Sequence, residues 1–277
     1  MKTSRQLLQE RMNSEKIKSS IWGFILGDVW GVPYEFKTKG SFKFQEFDCG
    51  GFHDQESGVW SDDTSLMLAF MDAYDSEELN IDRHKECLRK FLKGEYSYNR
   101  VLFDIGISTR QSISNNFTKN TDESYGNGGL LRCWLASALK PDTDFSEILG
   151  LTHSSQPIYK YCFDEFGELL RQGWNNQPFE LKPEIHTVYK NGYDKLKNSN
   201  GTVVSSFELC KEGLKKKWTI KNIIEQAKDT DSDAALFGAL YYSNREFPQE
   251  YKEQIKNWKW LEEQIDNFLN GNTKKSL

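Results

Sequence analysis

The sequence WSDDTSLML at residues 60–68 places two aspartates, Asp62 and Asp63, directly before an apolar run. An apolar run follows at Leu66, Met67, Leu68, Phe70 and Met71, and it predicts a helix over residues 63–75. Two adjacent carboxylates at the start of an apolar helix repel each other and resist burial. The stretch therefore requires something that compensates their charge.

A second acidic cluster repeats this arrangement far along the chain, in DTDSDAALFGAL at residues 229–240. Asp229 and Asp231 alternate there, Ser232 follows, and the spacing predicts an apolar helix over 231–243. Helix capping explains one aspartate per helix, because Asp and Ser are favoured N-cap residues and the helix dipole stabilises negative charge at that end. Capping does not explain two matching clusters of carboxylates and hydroxyls.

A divalent cation would explain both clusters together. Carboxylates and the hydroxyls of Ser and Thr are hard oxygen ligands, which suit Mg²⁺, Mn²⁺ or Ca²⁺ rather than zinc. From the spacing alone, metal binding and capping by solvent-exposed acids both remain open.

Three further stretches carry polar groups of functional interest. Glu35 follows Pro33 in the loop that ends GDVWGVPYEF, where Gly27 and Gly31 permit close helix packing. The Gly-rich stretch SYGNGG at 124–129 precedes a predicted helix and suits a phosphate group. His153 lies in LTHSSQ at 151–156. Taken singly, each of these stretches more often has an ordinary structural role.

The rest of the chain favours an all-α protein, because the 3.6-residue period recurs in about ten segments. Strand signals are weak, the best being FKFQEF at 42–47 and TVV at 202–204. There is no Pro/Ser-rich linker, so we expect a single domain over residues 1–277. Besides 63–75 and 231–243, the predicted helices cover residues 16–31, 80–94, 100–115, 129–139, 144–151, 157–172, 203–217, 220–227 and 250–270.

Composition excludes several classes of protein. A net charge of −5 gives no basic face for nucleic acid or a membrane surface. The N-terminal stretch is polar, the apolar stretch at 21–32 is too short to span a bilayer, and the five cysteines form no CxxC pair. We therefore expect an intracellular, cytoplasmic protein without a disulfide framework or a zinc site, and by default a monomer.

The motifs taken together resemble the ADP-ribosylglycohydrolase family. The set is GDxxGxPxEF, W[ST]DDT, DIG, GNGxxxR, LTH and DxD[ST]xAAxxGAL, in that order, from about residue 19 to about residue 243. The resemblance implies an orthogonal helical bundle with a binuclear Mg²⁺ or Mn²⁺ centre in a central cleft. Two such cations between the aspartate clusters would compensate the charge of Asp62 and Asp63.

The resemblance also implies roles for individual residues of this chain. Glu35 is expected to be catalytic. The metal ligands are expected to be Ser61, Asp62, Asp63, Asp229, Asp231 and Ser232. The residues expected to bind ADP-ribose are Asp104, near the leaving group, and Ser124, Tyr125, Gly126, Asn127, Gly128 and His153.

The chain departs from the family pattern at a few positions. Ser61 and Ser232 stand where threonine is usual, which keeps the oxygen ligand but restricts its rotamer less. Ile107 stands where the DIGN segment has asparagine, so a hydrogen-bonding group is absent on the leaving-group side.

The implied reaction is metal-dependent hydrolysis of the bond between C1 of the ribose and an acceptor, through an oxocarbenium-like transition state. The implied substrate is an ADP-ribosylated protein, with arginine favoured over serine as acceptor, or a small ADP-ribose conjugate. Three alternatives are a metal-dependent phosphohydrolase of a nucleotide or diphosphate, a catalytically silent ADP-ribose-binding relative, and an immunity protein that reverses a toxin's ADP-ribosylation.

Overall fold

The computed structural model describes residues 4–74, 79–182 and 192–271, and within these ranges the chain is helical with no β-strand. None of the helices described is long and apolar enough to cross a bilayer. The α-helices in these ranges are α1 Ser4–Gly31, α2 Asp62–Ala73, α3 Ile81–Leu92, α4 Ile107–Ser114, α5 Gly128–Leu139, α6 Ser146–Gly150, α7 Pro157–Trp174, α8 Tyr193–Asn198, α9 Val203–Lys216, α10 Ile220–Gln226, α11 Thr230–Tyr241, α12 Gln249–Lys252 and α13 Trp258–Leu269.

Helices α1 and α11 pack with their backbones in direct contact. Gly23, Gly27 and Gly31 recur every four residues on one face of α1. A Cβ at Gly27 would overlap the Ala234 carbonyl, and one at Gly31 would overlap the Asp231 backbone. Only glycine permits this approach, and the approach brings the first turn of α11 beside the end of α1.

The helices α2, α5 and α7 complete the layer around this pair, and large aromatic side chains fill the core between them. Trp22, Trp60 and Trp134 are each about 99% buried or more. The rings of Phe24 and Trp134 stack with centroids 5.5 Å apart, which joins α1 to α5. The burial of these large rings fixes the positions of α1 and α2 relative to the core.

Three of the predicted helices differ from the structure. The helix predicted over 16–31 begins earlier, because α1 covers Ser4–Gly31. In the segment predicted as 100–115, only residues 107–114 form an α-helix, and Asp104 lies in a loop with φ of +55°. The segment predicted as 250–270 is divided into α12 and α13, because Asn257 adopts φ of +48° and the neighbouring Lys256 amide donates to the Gly58 carbonyl at 2.9 Å. Helical spacing alone does not report such left-handed residues.

Neither of the two weak strand signals corresponds to a strand. Residues 42–47 form a loop whose rings pack against the end of α1, with Phe42 stacked on Tyr34 at 4.6 Å and Phe44 against Trp30 at 5.4 Å. At 202–204 the chain begins helix α9, because Thr202 accepts a hydrogen bond from the Ser205 amide in a capping box. Aromatic packing therefore orders the first of these segments, and a helix cap orders the second.

Candidate active site

The two acidic clusters meet in space at the N-termini of α2 and α11. Asp62 and Asp63 occupy the first turn of α2, and Asp231 occupies the first turn of α11. The Ser232 hydroxyl donates a 2.8 Å hydrogen bond to Asp63 Oδ2 and so joins the clusters across 169 residues. Both helix dipoles place their positive ends toward these carboxylates.

The N-terminus of α2 is capped by other groups, so Asp62 and Asp63 are not needed as caps. The Ser61 side chain accepts from the Asp63 amide at 3.2 Å. Asp28 on α1, which is fully buried, accepts from the amides of Ser61 and Thr64 at 3.0 Å each. These three amides are satisfied without the carboxylates of Asp62 and Asp63, which are therefore not used as helix caps.

The carboxylates are crowded and buried. Oxygens of Glu35, Asp229 and Asp231 lie within 4.8 Å of one another. Burial, reinforced by the charges of Asp104 and Asp229, raises the pKa of Glu35 to about 9. Burial also raises the pKa values of Asp62, Asp63 and Asp231 well above their usual range, and the neighbouring carboxylates add to each rise.

Asp231 shows most directly what this cluster fits. Both of its carboxylate oxygens are buried, and neither has a hydrogen-bond partner among the described residues. Buried carboxylates are ordinarily paired, hydrogen-bonded or coordinated to a metal, because an isolated buried charge is costly. The donor set of carboxylate and hydroxyl oxygens fits a hard divalent cation such as Mg²⁺ or Mn²⁺.

A histidine that the sequence analysis did not single out lies against this cluster. His53 Nε2 is 2.6 Å from Glu35 Oε2 and 3.6 Å from Asp104 Oδ1, and the three side chains form a second group that could hold a metal. Burial lowers the pKa of His53 and raises that of Asp104 to about 6. The only signal for His53 in the sequence is its position in the loop between the Glu35 and Asp62 motifs.

The Gly-rich stretch reaches the acidic cluster through Asn127. The Asn127 Nδ2 group donates to Asp229 Oδ2 at 2.9 Å and to Ser206 Oγ at 3.1 Å. The Asn127 amide donates to the Gly201 carbonyl at 3.0 Å, which fixes the turn against the start of α9. The first turn of α5 is thereby held beside the acidic cluster.

His153 packs against the Gly-rich stretch at residues 124–129. It is buried, and its Nδ1 lies 2.9 Å from the Thr152 hydroxyl, which also accepts from Arg132. Burial lowers the pKa of His153 to about 3, with Arg132 adding to the effect, so the ring is neutral. A Cβ at Gly128 would lie 3.0 Å from the His153 ring, so the turn rests on the imidazole.

Beside the turn lies an open pocket of about 680 Å³. Tyr125, Gly126 and Thr202 line one side, and Ile158 and Lys195 contribute an apolar and a basic group. The Ser124 carbonyl accepts from the Ser154 amide at 2.9 Å, which fixes Ser124 in the adjoining loop. The size suits a nucleotide-sized ligand.

All the residues predicted for the site therefore fall into two neighbouring groups. Glu35, Asp104 and the two acidic motifs form the acidic cluster, while residues 124–128 and His153 form the turn beside it. Asp233 was not predicted, yet it is buried behind Asp229, and its Oδ1 is without a hydrogen-bond partner among the described residues. Ser61 is both a cap and a neighbour of the cluster.

Comparison with known proteins identifies similar sequences. The ADP-ribosylglycohydrolase family matches residues 9–163, more than half of the 277-residue chain. ADP-ribosylarginine hydrolase Tri1 of Serratia proteamaculans (strain 568) is 31% identical over 135 residues, 46% of this chain and 37% of that protein. The protein of the same name from Pseudomonas putida (strain GB-1) is 30% identical over 127 residues, 43% of this chain and 34% of that protein.

Each of these matches spans only about a third of the curated relative. Among solved structures, one described as an ADP-ribosylglycohydrolase-related protein complex superposes with a TM-score of 0.71. It covers 94% of this chain and 99% of that chain at 17% identity, which shows a shared fold.

Proposed function

Because the chain belongs to the ADP-ribosylglycohydrolase family, we propose that it removes ADP-ribose from a modified acceptor by hydrolysing the bond at C1 of the ribose. The observation that carries this proposal is the buried, unpaired carboxylate of Asp231 facing Glu35 and Asp229. A protein that only folded around these acids would leave their charge uncompensated. The cluster is therefore proposed to act on a ligand.

The proposed cofactors are two divalent cations, Mg²⁺ or Mn²⁺. Bound cations supply Lewis-acid polarisation of the substrate's oxygens and compensate the charge of the cluster. The proposed ligands are Ser61, Asp62, Asp63, Asp229, Asp231 and Ser232. Asn127 and Asp28 orient this set, since one donates to Asp229 and the other fixes the start of α2.

Glu35 is the proposed proton-transfer group. Without bound cations, burial and the charges of Asp104 and Asp229 raise its pKa to about 9, which favours the protonated carboxyl group that a general acid needs. Its Oε2 is fixed by the 2.6 Å contact with His53 Nε2, and both groups border the acidic cluster. A positioned acid of this kind contributes roughly 10²- to 10⁴-fold to rate by protonating the leaving group.

The turn at residues 124–128 is the proposed ADP-ribose site. The first turn of α5 offers backbone amides to the diphosphate, and the pocket of about 680 Å³ beside it can take the adenosine. Asn127 connects this turn to Asp229, so a ligand held there would present its ribose to the acidic cluster. Fixing C1 in this way contributes to rate through positioning.

The proposed acceptor is an arginine side chain. Two similar proteins are named ADP-ribosylarginine hydrolases, and the acids Glu35 and Asp104 border the leaving-group side. A cationic guanidinium suits the Asp104 carboxylate, whose pKa is raised only to about 6, better than the neutral hydroxyl of serine does.

The test is product release from two labelled substrates, one ADP-ribosylated on arginine and one on serine. Each is incubated with Mg²⁺, Mn²⁺ or EDTA, and the products are separated by chromatography. We expect metal-dependent release of intact ADP-ribose, faster from arginine. Release of AMP or phosphate would identify a phosphohydrolase instead, and a lack of product with metal bound would overturn the proposed activity on these two acceptors.

A further inference from the structure

Among the described residues, the large exposed apolar side chains belong to three segments of the chain that meet near Glu35. Among the residues whose side chains are described, the large hydrophobic ones that are exposed are Phe36 (60%), Phe52 (71%), Val101 (57%) and Ile107 (75%). Phe36, Phe52 and Val101 lie in the loops that carry Glu35, His53 and Asp104. Ile107 is the first residue of α4, directly after the Asp104 loop. Exposed apolar groups clustered in this way usually mark a binding surface.

Three phenylalanines and His53 form a continuous row of rings, which we call the aromatic rim. The centroids of Phe36 and Phe52 are 4.8 Å apart, those of Phe52 and His53 5.1 Å, and those of His53 and Phe103 5.0 Å. The first two pairs meet edge to face, at 75° and 88°. Phe36 and Phe52 nevertheless remain 60% and 71% exposed, so much of their ring surface is open to solvent.

Near one end of the rim, His53 lies against two acidic side chains, Glu35 and Asp104. His53 contacts Glu35 Oε2 at 2.6 Å and lies 3.6 Å from Asp104 Oδ1. Within the described residues, no Lys or Arg side chain forms an ion pair with either acid. The basic residue next to the rim, Lys37, lies instead over the Tyr34 ring at 4.9 Å.

Left-handed backbone supports the exposed position of this surface. Phe36 has φ of +59° and Asp104 has φ of +55°, a region that side-chain-bearing residues rarely adopt. Such conformations persist where the surrounding structure holds them and concentrate at ligand-binding positions. Here they turn a phenylalanine out of the core directly after the buried Glu35.

We propose that the aromatic rim is the acceptor subsite and that it takes a planar cation, the guanidinium of an ADP-ribosylated arginine. This inference rests on the proposed hydrolysis and specifies its acceptor side. A guanidinium is flat, delocalised and weakly hydrated, so it stacks on ring faces while its N–H groups pair with carboxylates. The rings of the rim supply the stacking contact and the neighbouring acids supply the polar contact, so a single arginine side chain can make both.

The first experiment measures binding of acceptor analogues without any reaction. Agmatine carries the guanidinium, putrescine carries a compact ammonium, and N-butylurea is planar but neutral. With Mg²⁺ present, isothermal titration of the full chain should show agmatine binding more tightly than either of the others. Equal binding of N-butylurea, or no agmatine binding, would overturn the proposal.

Substitutions at Phe52 separate ring chemistry from apolar area. Phe52 is 71% exposed, so its replacement leaves the core intact. Phe52→Ala and Phe52→Leu should weaken agmatine binding by about 3- to 30-fold, the range of a cation–π contact, while Phe52→Tyr retains it. If Phe52→Leu binds as the unchanged protein does, only apolar contact is involved and the proposal is wrong.

Hydrolysis of the two substrates distinguishes this proposal from the proposed function. Phe52→Ala should lower kcat/KM for the arginine substrate by the same factor and lower it less for the serine substrate, with Asp164→Asn on α7 as a control outside these loops. Arginine hydrolysis that is insensitive to Phe52 would refute the subsite and leave the function standing. Phe52-dependent agmatine binding without release of ADP-ribose would support the subsite and refute the function.

Discussion

The Ser232 hydroxyl donates to Asp63 Oδ2 at 2.8 Å, and this one bond joins two helix N-termini that are 169 residues apart in the chain. It orients the Asp63 carboxylate by fixing one of its two oxygens. The second acidic motif therefore serves the first as a hydrogen-bond donor in addition to supplying its own carboxylates.

Replacement of Asp231 should abolish activity without unfolding the protein. Asp231→Ala removes a buried carboxylate that has no hydrogen-bond partner among the described residues, so the fold loses no bond with it. We expect the release of ADP-ribose to fall by more than about 100-fold, the upper end of losses from outer-shell substitutions at metal sites. Stabilisation by Mn²⁺ in thermal unfolding should disappear with it.

The control is Asp164→Asn, which alters an exposed acid on α7 that pairs with Lys160 at 2.7 Å. It should leave both measurements unchanged. Asp62→Ala should behave as Asp231→Ala does, and near-normal activity in either of these variants would contradict the binuclear assignment.

His53 should affect the rate of hydrolysis by positioning Glu35. His53→Ala removes the 2.6 Å contact that fixes Glu35 Oε2, and we expect kcat to fall by about 10-fold. His53→Gln keeps a hydrogen-bonding group and should recover part of the loss. The measurement is kcat and KM with saturating Mg²⁺ for both variants, and an unchanged kcat in His53→Ala would show that the contact is only structural.

The close packing of α1 on α11 should tolerate no side chain at Gly27. Gly27→Ala places a Cβ against the Ala234 carbonyl, and the backbone must shift. We expect the free energy of unfolding to fall by about 1–3 kcal/mol, as in other overpacked cores. The same change at Gly150, where a Cβ would meet nothing within 4 Å, is the matched control and should be nearly neutral.

Without divalent cations the protein should become less stable as pH rises. Burial raises the pKa of Glu35 to about 9 from an ordinary value of 4.5, and the pKa values of Asp62 and Asp231 also rise. Between the ordinary and the raised pKa values, the folded state therefore binds more protons than the unfolded state. The free energy of unfolding falls as pH rises through this interval and the acids ionise.

This effect is cleanest between about pH 7 and pH 8, because the buried cysteines, whose pKa values are also raised, add a fall of the same sign once free thiols ionise at about pH 8.5. There, the buried histidines His84 and His153, whose pKa values are lowered to about 3, are neutral in both states. Thermal unfolding in EDTA should show Tm falling across the interval, and Mg²⁺ or Mn²⁺ should reduce the fall. A Tm that rises with pH in EDTA would contradict the crowding of these carboxylates.

The family and the helical character of the chain are confirmed, and both were predictable from local signals. The acidic motifs, the Gly-rich stretch and their order indicated the family, and the 3.6-residue period located most helices to within a few residues. The short α8 was not predicted. The loops were less predictable, because Asp104 and Asn257 adopt left-handed backbone that helical spacing does not report.

The sequence by itself determined which segments become helices and where the acids stand on them, because periodicity and capping are local properties of the chain. Only the tertiary structure decided what those acids face. The backbone contact at Gly27 and Gly31 sets Asp231 opposite Glu35, Asp28 caps a helix more than thirty residues away, and His53 reaches Glu35 from a separate loop. Such contacts depend on close packing between distant segments, and no neighbouring residue encodes them.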